Sequence, residues 1–177
     1  MVRLSGGISV SANNAPLRLN RDLSLSAHVK VSSHSFKEGS LIPSKYTCDG
    51  QDVSPHLSWE QGKATAYAVI MEDPDAPIGT FYHWAIYNVT STELPEGVSK
   101  NINTSFGMQG INDFGKPGYG GPCPPRGPPH RYYFRVYGLS GKLNLAPGAP
   151  IRQVLTALKG NIVDEGTLMG RYGRGGK

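Results

Sequence analysis

Five residues in two short stretches could do chemistry together: Asp73, Asp75 and His83 in the first, His130 and Tyr132 in the second. The first stretch reads Asp73-Pro-Asp-Ala-Pro77, then Gly79-Thr-Phe-Tyr-His83-Trp84; the second reads Gly121-Pro-Cys-Pro-Pro125, then His130-Arg-Tyr132. Histidine and tyrosine donate hydrogen bonds to an anion's oxygens, a protonated imidazole adds charge, and glycine at 121 lets a backbone N–H approach closely. Phosphate suits such donors. The aspartates pull the other way, because a carboxylate repels phosphate unless it orients a histidine or accepts from an ammonium or a protonated phosphate oxygen. A zwitterionic phosphate ester with an amine answers both signs. Proline fixes its own φ and biases the preceding residue to extended conformations, so both loops enter the folded state with little entropy left to lose.

Each feature also has a plainer reading. Asp-Pro commonly starts a turn, the prolines between Pro122 and Pro129 could form a rigid loop or a polyproline segment, and a single histidine on a strand is commonly a satisfied rim residue. The two aspartates and two histidines could instead bind a divalent metal and hydrolyse a phosphate ester. Alternate residues on a strand point to opposite faces, so only a turn would let both aspartates converge. The chain lacks a Gly-x-Ser-x-Gly elbow, a Gly-x4-Gly-Lys-Ser/Thr loop, His-Glu-x-x-His and Cys-x-x-Cys. The reading is therefore a binding protein and not an enzyme, with no cofactor and no metal.

The elements that must position these residues are mainly β. Glycine and proline make up 37 of the 177 residues and are spread along the chain, which favours short elements joined by turns. Ala64 to Met71 reads as a strand buried on both faces, and Phe81 to Val89 and Arg131 to Leu139 read as two more. A period of two places His83 with Phe81, Ala85, Tyr87 and Val89, and His130 with Tyr132, Phe134 and Val136. Shorter strand candidates are Lys30 to Ser35, Leu57 to Trp59 and Asn101 to Phe106. Gly107 to Gly121 reads as a long surface loop. One amphipathic helix is expected over Ile151 to Val163, with a second helical turn after Asp164-Glu165-Gly166 that turns Leu168 and Met169 inward.

Length and composition fit one soluble domain, residues 29–177, preceded by an extension, residues 1–28, that is either an arm or an added strand. Such an arm could be exchanged between subunits of a homodimer. The formal charge of +5 lies at the ends: residues 31–169 hold 11 basic and 12 acidic side chains. With no basic face interleaved with aromatics, nucleic acid is not expected as a partner. No apolar run reaches the roughly 20 residues of a membrane-spanning helix, and Met1-Val-Arg3 is not followed by a signal-peptide core. The expected location is the cytoplasm. Cys48 and Cys123 read as two buried thiols; a bridge between them would close a loop of about 75 residues and contribute about 4 kcal/mol, and would be unusual in a mesophilic cytosol.

The two motifs resemble the signature regions of phosphatidylethanolamine-binding proteins, the Raf kinase inhibitor family. Ile42-Pro-Ser-Lys-Tyr-Thr-Cys-Asp-Gly50, Ser54-Pro-His-Leu-Ser-Trp59 and Leu168-Met-Gly-Arg-Tyr172 resemble its bacterial and archaeal branch, over roughly Lys30 to Arg174. The resemblance implies an antiparallel β-sandwich with Greek-key connections, a C-terminal helix packed at the sheet edge, and a small cavity for phosphate or phosphoethanolamine-like head groups. By motif position Asp73, His83, His130 and Tyr132 line that cavity, Gly121 and Pro122 form its rim, Tyr172 joins from the C-terminal end, and Ala76-Pro77 is a cis peptide. Family members inhibit protein kinases or serine proteases, and for this branch the serine-protease role is the expected one, presented by Gly118 to Pro129 or Asn101 to Lys116. Cys123 is inserted relative to animal members, and the link from Pro77 to His83 is shorter.

Overall fold

A computed structural model describes residues 27–175. Apart from residues 27 and 28, the expectation for the N-terminal extension lies outside the described residues. In chain order the strands are β1 (Ala27–His28), β2 (Val31–Ser32), β3 (Leu57–Trp59), β4 (Ala66–Asp73), β5 (Phe81–Val89), β6 (Glu93–Leu94), β7 (Met108–Gln109), β8 (His130–Leu139) and β9 (Ile162–Tyr172); the helix α1 (Ile151–Leu158) lies between β8 and β9. They form a six-stranded sheet in the order β1-β9-β8-β4-β5-β7 and a three-stranded sheet in the order β2-β3-β6. Pairing is antiparallel except for β1, which runs parallel to β9.

Apolar side chains at alternate positions explain both layers. Tyr67, Val69 and Met71 of β4 meet Phe134 and Val136 of β8 and Leu57 and Trp59 of β3 between the two sheets. The intervening residues, Ala68 and Ile70 of β4 and Tyr137 and Leu139 of β8, face the other side, where Ile151, Val154 and Leu158 of α1 cover them. Burying side chains on both faces needs the continuous apolar run seen in β4.

The helix is shorter than its apolar spacing suggests. It ends at Leu158, and Gly160 with φ +81° turns the chain back in a conformation that favours glycine. The second helical turn is replaced by the eleven-residue strand β9, which pairs with β8 from Ile162↔Leu139 to Tyr172↔His130. Gly166 settles the matter: a Cβ there would collide with the carbonyl of Val29, an approach that belongs to a strand threaded between neighbours. The Asn101–Phe106 strand is also absent; Asn103 makes a single bridge to Met108 instead.

Residues 107–121 run partly through the interior instead of over the surface. Gln109 is fully buried, accepting from Trp84 Nε1–H and donating to the carbonyls of Ser99 and Asn101. Gly110 N–H reaches Ala85 O and Gly120 N–H reaches His83 O, so the loop's backbone is satisfied by β5. Among the described residues no helix is long and apolar enough to cross a membrane.

Candidate functional site

Asp73, His83, His130 and Tyr132 meet at one end of the large sheet, on the face that looks toward the small sheet. Asp73 ends β4 and His130 begins β8, its neighbour, so the two side chains lie side by side with His130 Nδ1 2.7 Å from Asp73 Oδ2. Tyr132 follows two residues later on the same face, its ring 6.3 Å from that of His130 and 5.4 Å from that of His83.

His83 arrives there through a β-bulge. Met71 pairs with Trp84 but Glu72 pairs with Tyr82, leaving His83 as the extra residue of β5. Strict alternation is therefore broken: His83 shares its face with Phe81 and, beyond the bulge, with Trp84 and Ile86, whereas Ala85 and Tyr87 turn to the helix side. The bulge is fixed by Gly120, whose N–H donates to His83 O and whose carbonyl accepts from His83 Nδ1–H at 2.7 Å. Burial pushes the His83 pKa below its usual value, against the opposing pull of the Gly120 carbonyl and the Asp73 charge.

A carbonyl or carboxylate oxygen can only accept, so both imidazoles carry a proton on Nδ1 and present Nε2 elsewhere. Tyr132 is fully buried, and its hydroxyl, with Asp73 beside it, makes no hydrogen bond of good geometry. Burial, then the nearby Asp73 carboxylate, pushes its ionisation far up, so it stays a neutral donor. The Tyr132 ring thus lies within 6.3 Å of both oriented imidazoles.

The remaining expected residues have other roles. Asp75 turns to the outer side, where both its oxygens take Arg131 Nε–H, Nη2–H and backbone N–H; the Arg131 guanidinium lowers its pKa to about 2. Gly121 follows the Gly120 that holds His83, but its N–H is spent on Asp52 Oδ1 at 2.8 Å. The buried Pro122 accepts from Cys48 N–H at 3.0 Å. Tyr172 stands opposite His130 in the β8–β9 register, with its hydroxyl given to Asp49.

Two expectations are overturned outright. None of the described peptide bonds is cis, so Ala76-Pro77 is trans; the reversal comes instead from Gly79 at φ +120°, whose N–H closes a turn on Ala76 O at 3.2 Å. Cys48 and Cys123 are not two buried thiols but the bridged pair of the alternative reading: both are exposed and joined in a disulfide, with Cα atoms 5.4 Å apart. The Cys48 N–H bond to Pro122 holds the two loops at bridging distance.

Sequence reasoning missed the Asn112–Lys116 hairpin. Asp113 N–H bonds Tyr82 O and Asp113 Oδ2 accepts Tyr82 N–H, which staples the hairpin to β5 beside the site. Phe114 then packs edge-on to Phe81 and His83, at 4.8 and 5.3 Å between centroids. Asn-Asp-Phe-Gly signals a turn, but nothing in it says where the turn docks.

Two packed sheets, one exposed disulfide and an Asp–His–His–Tyr cluster at a sheet end define a small β-sandwich with a preformed polar site. The sequence profile described as phosphatidylethanolamine-binding protein matches residues 32–173. Relatives include a UPF0098 protein of Aquifex aeolicus, 49% identical over 154 residues that cover 84% of this chain and 90% of that one. A UPF0098 protein of Methanothermobacter thermautotrophicus is 45% identical, covering 83% of this chain and 100% of its own. Among solved structures, the homologue CT736 of Chlamydia trachomatis superposes with a TM-score of 0.74 at 35% identity, and E. coli YbcL with 0.76 at 29%; each match covers 84% of this chain and 99% of the other. The chain belongs to the phosphatidylethanolamine-binding protein family.

Proposed function

We propose that the protein acts by binding, and that its ligand is a phosphate-type anion held between His83, His130 and Tyr132. The observation that carries this reading is the convergence of two oriented imidazoles on the ring of Tyr132, whose buried hydroxyl has Asp73 beside it and makes no hydrogen bond of good geometry. Both Nε2 atoms are acceptors while the rings are neutral, so the guest brings a proton with it. A monoprotonated phosphate donates its own O–H to one imidazole and accepts from Tyr132, and a proton taken up from solvent turns the other imidazole into an imidazolium that donates a charge-assisted bond. Asp73 is spent on His130 and on Asp75 N–H, so it orients the imidazole and is not a free base. A binding site, not a catalytic one, is what this arrangement supports.

The test is thermal. Phosphate at 100 times its Kd should raise stability by about 2.7 kcal/mol, and His130→Ala should remove that gain. No shift with millimolar phosphate would count against the reading.

A second reading, inhibition of a serine protease, is favoured by one feature. Ile78 is 98% exposed at the tip of the Asp73–Thr80 loop, which is braced from within by Asp75 N–H on Asp73 Oδ1 and from outside by the Asp75–Arg131 pair. A rigid loop with an exposed aliphatic side chain suits a protease cleft, whereas of Gly118 to Pro129 the first five residues are buried and the exposed part carries no aliphatic side chain other than proline. Titration against chymotrypsin-like and subtilisin-like proteases with wild type and Ile78→Asp checks it; absence of inhibition at micromolar concentration argues against it.

A further inference from the structure

The carboxylates around the site each hold a donor already, Asp113 among them through Tyr82 N–H. Asp73 holds His130 and Asp75 N–H, Asp75 holds Arg131, Asp49 holds Tyr172 and Arg174, and Asp52 holds Gly121 N–H and Lys100. An ammonium group on a phosphate ester would therefore have to share a carboxylate with a donor already in place instead of gaining a vacant one. A different kind of surface borders the site. The rings of Phe81, Phe114 and His83 meet edge-on as a corner, with centroids 4.8 to 5.3 Å apart. Phe114 remains 44% exposed, so part of that corner is open to solvent.

The corner is built rather than incidental. Phe114 N–H bonds Asn112 Oδ1 at 2.8 Å, and the same amide donates from Nδ2 to Gly118 O at 2.9 Å. Gly120 leaves the room the ring needs: a Cβ there would stand 2.6 Å from Phe114 Cδ2. Thus the residue that locks His83 through its carbonyl also seats Phe114 beside it. Aromatic rings favour edge-to-face and offset partners at such distances, and an exposed Phe beside a polar site has one such position vacant.

We propose that the site takes phosphate monoesters of aromatic alcohols, the aryl ring packing on Phe114 and Phe81, and that an amine on the ester adds nothing. This rests on the anion reading above and names the ligand class. The phosphate supplies the polar contacts with His83, His130 and Tyr132, and the ring supplies selectivity through the rim.

Calorimetric titration of the intact protein with inorganic phosphate, phosphoethanolamine and phenyl phosphate at one pH tests it. Phenyl phosphate should bind about tenfold more tightly than phosphoethanolamine, as one well-placed aromatic contact allows, and phosphoethanolamine should bind no better than inorganic phosphate. Phe114→Ala should bring phenyl phosphate down to the level of phosphoethanolamine and leave inorganic phosphate within about twofold. Phosphoethanolamine equal to or tighter than phenyl phosphate overturns the proposal, as does a Phe114→Ala variant that weakens all three alike. The wild-type ranking decides alone should that variant fail to fold. If phenyl phosphate shows no gain while inorganic phosphate binds, only the ligand class falls; if none of the three binds, the anion reading falls and takes this one with it.

Discussion

His130 Nδ1 and Asp73 Oδ2 lie 2.7 Å apart across 57 residues of chain, because the two residues end adjacent antiparallel strands. The pair fixes which imidazole nitrogen carries the proton and sends Nε2 away from the carboxylate. His83 is fixed in the same way by a different partner, the Gly120 carbonyl. One site thus holds two oriented imidazoles whose supports differ: one anionic, one neutral.

Tyr132→Phe should separate stability from function. The buried hydroxyl makes no hydrogen bond of good geometry, with Asp73 the group that acts on it, so removing it should cost the unliganded protein little, whereas the ligand loses its one neutral donor. The expected outcome is an unchanged or higher Tm and phosphate affinity lowered about tenfold. A large drop in Tm would mean that the hydroxyl has a protein partner.

Phosphate binding should take up protons. With Nδ1 of both rings committed, a phosphate dianion accepts from the Tyr132 hydroxyl and gives its own O–H to only one imidazole, so a proton taken up at the other Nε2 completes the binding. Calorimetry in two buffers of different ionisation enthalpy should show net proton uptake, and affinity should fall as pH rises and the proton that the site takes up becomes scarcer. Zero uptake would contradict the assignment.

Stability should fall in two acid steps. His83 has a folded pKa below its unfolded value of 6.5, so its contribution is complete above pH 6.5 and is lost as pH falls below that. Asp75, lowered from 3.8 to about 2 first by the Arg131 side chain, contributes fully above pH 3.8 and loses this as pH falls toward about 2. Tm measured against pH should lose the upper step in His83→Gln and the lower one in Asp75→Asn.

Reducing the disulfide should destabilise the whole domain. The bridge closes a separation of 75 residues between exposed cysteines, worth about 4 kcal/mol in the chain-entropy description. Cys48→Ser should lower the denaturation midpoint by a corresponding amount, and dithiothreitol should do the same to wild type and nothing to the variant.

Gly121→Ala should damage the rim. The added Cβ would collide with Tyr46 O and stand 2.6 Å from Asp52 Oδ1 and 3.0 Å from Thr47 Cα, mostly backbone that cannot step aside. A loss of about 1–3 kcal/mol is expected, together with weaker phosphate binding as the loop shifts off Gly120. Normal stability in a melting experiment would show the loop to be softer than its contacts suggest.

Much was legible in the residues themselves. The apolar run of β4, the aromatic and β-branched alternation of β8 and the two proline-stiffened motifs are local properties, so element type, the His130–Tyr132 face and the resemblance to the family followed from order alone. Their physical basis is short-ranged: a period of two, a restricted φ and a turn residue act within a few positions. What only the tertiary structure decided depends on distant groups. The bulge that turns His83 into the site exists because Gly120, 37 residues away, captures its carbonyl and its ring. The fate of Ile162–Tyr172 hung on the unpaired edge of β8, which drew a helical-looking segment into a strand. The cysteines were joined because Cys48 N–H found Pro122 O, and the aspartates were neutralised by partners on other strands. Pairing energies of this kind are absent from any local window of sequence, since they arise only once the sandwich has brought its two layers and their loops together.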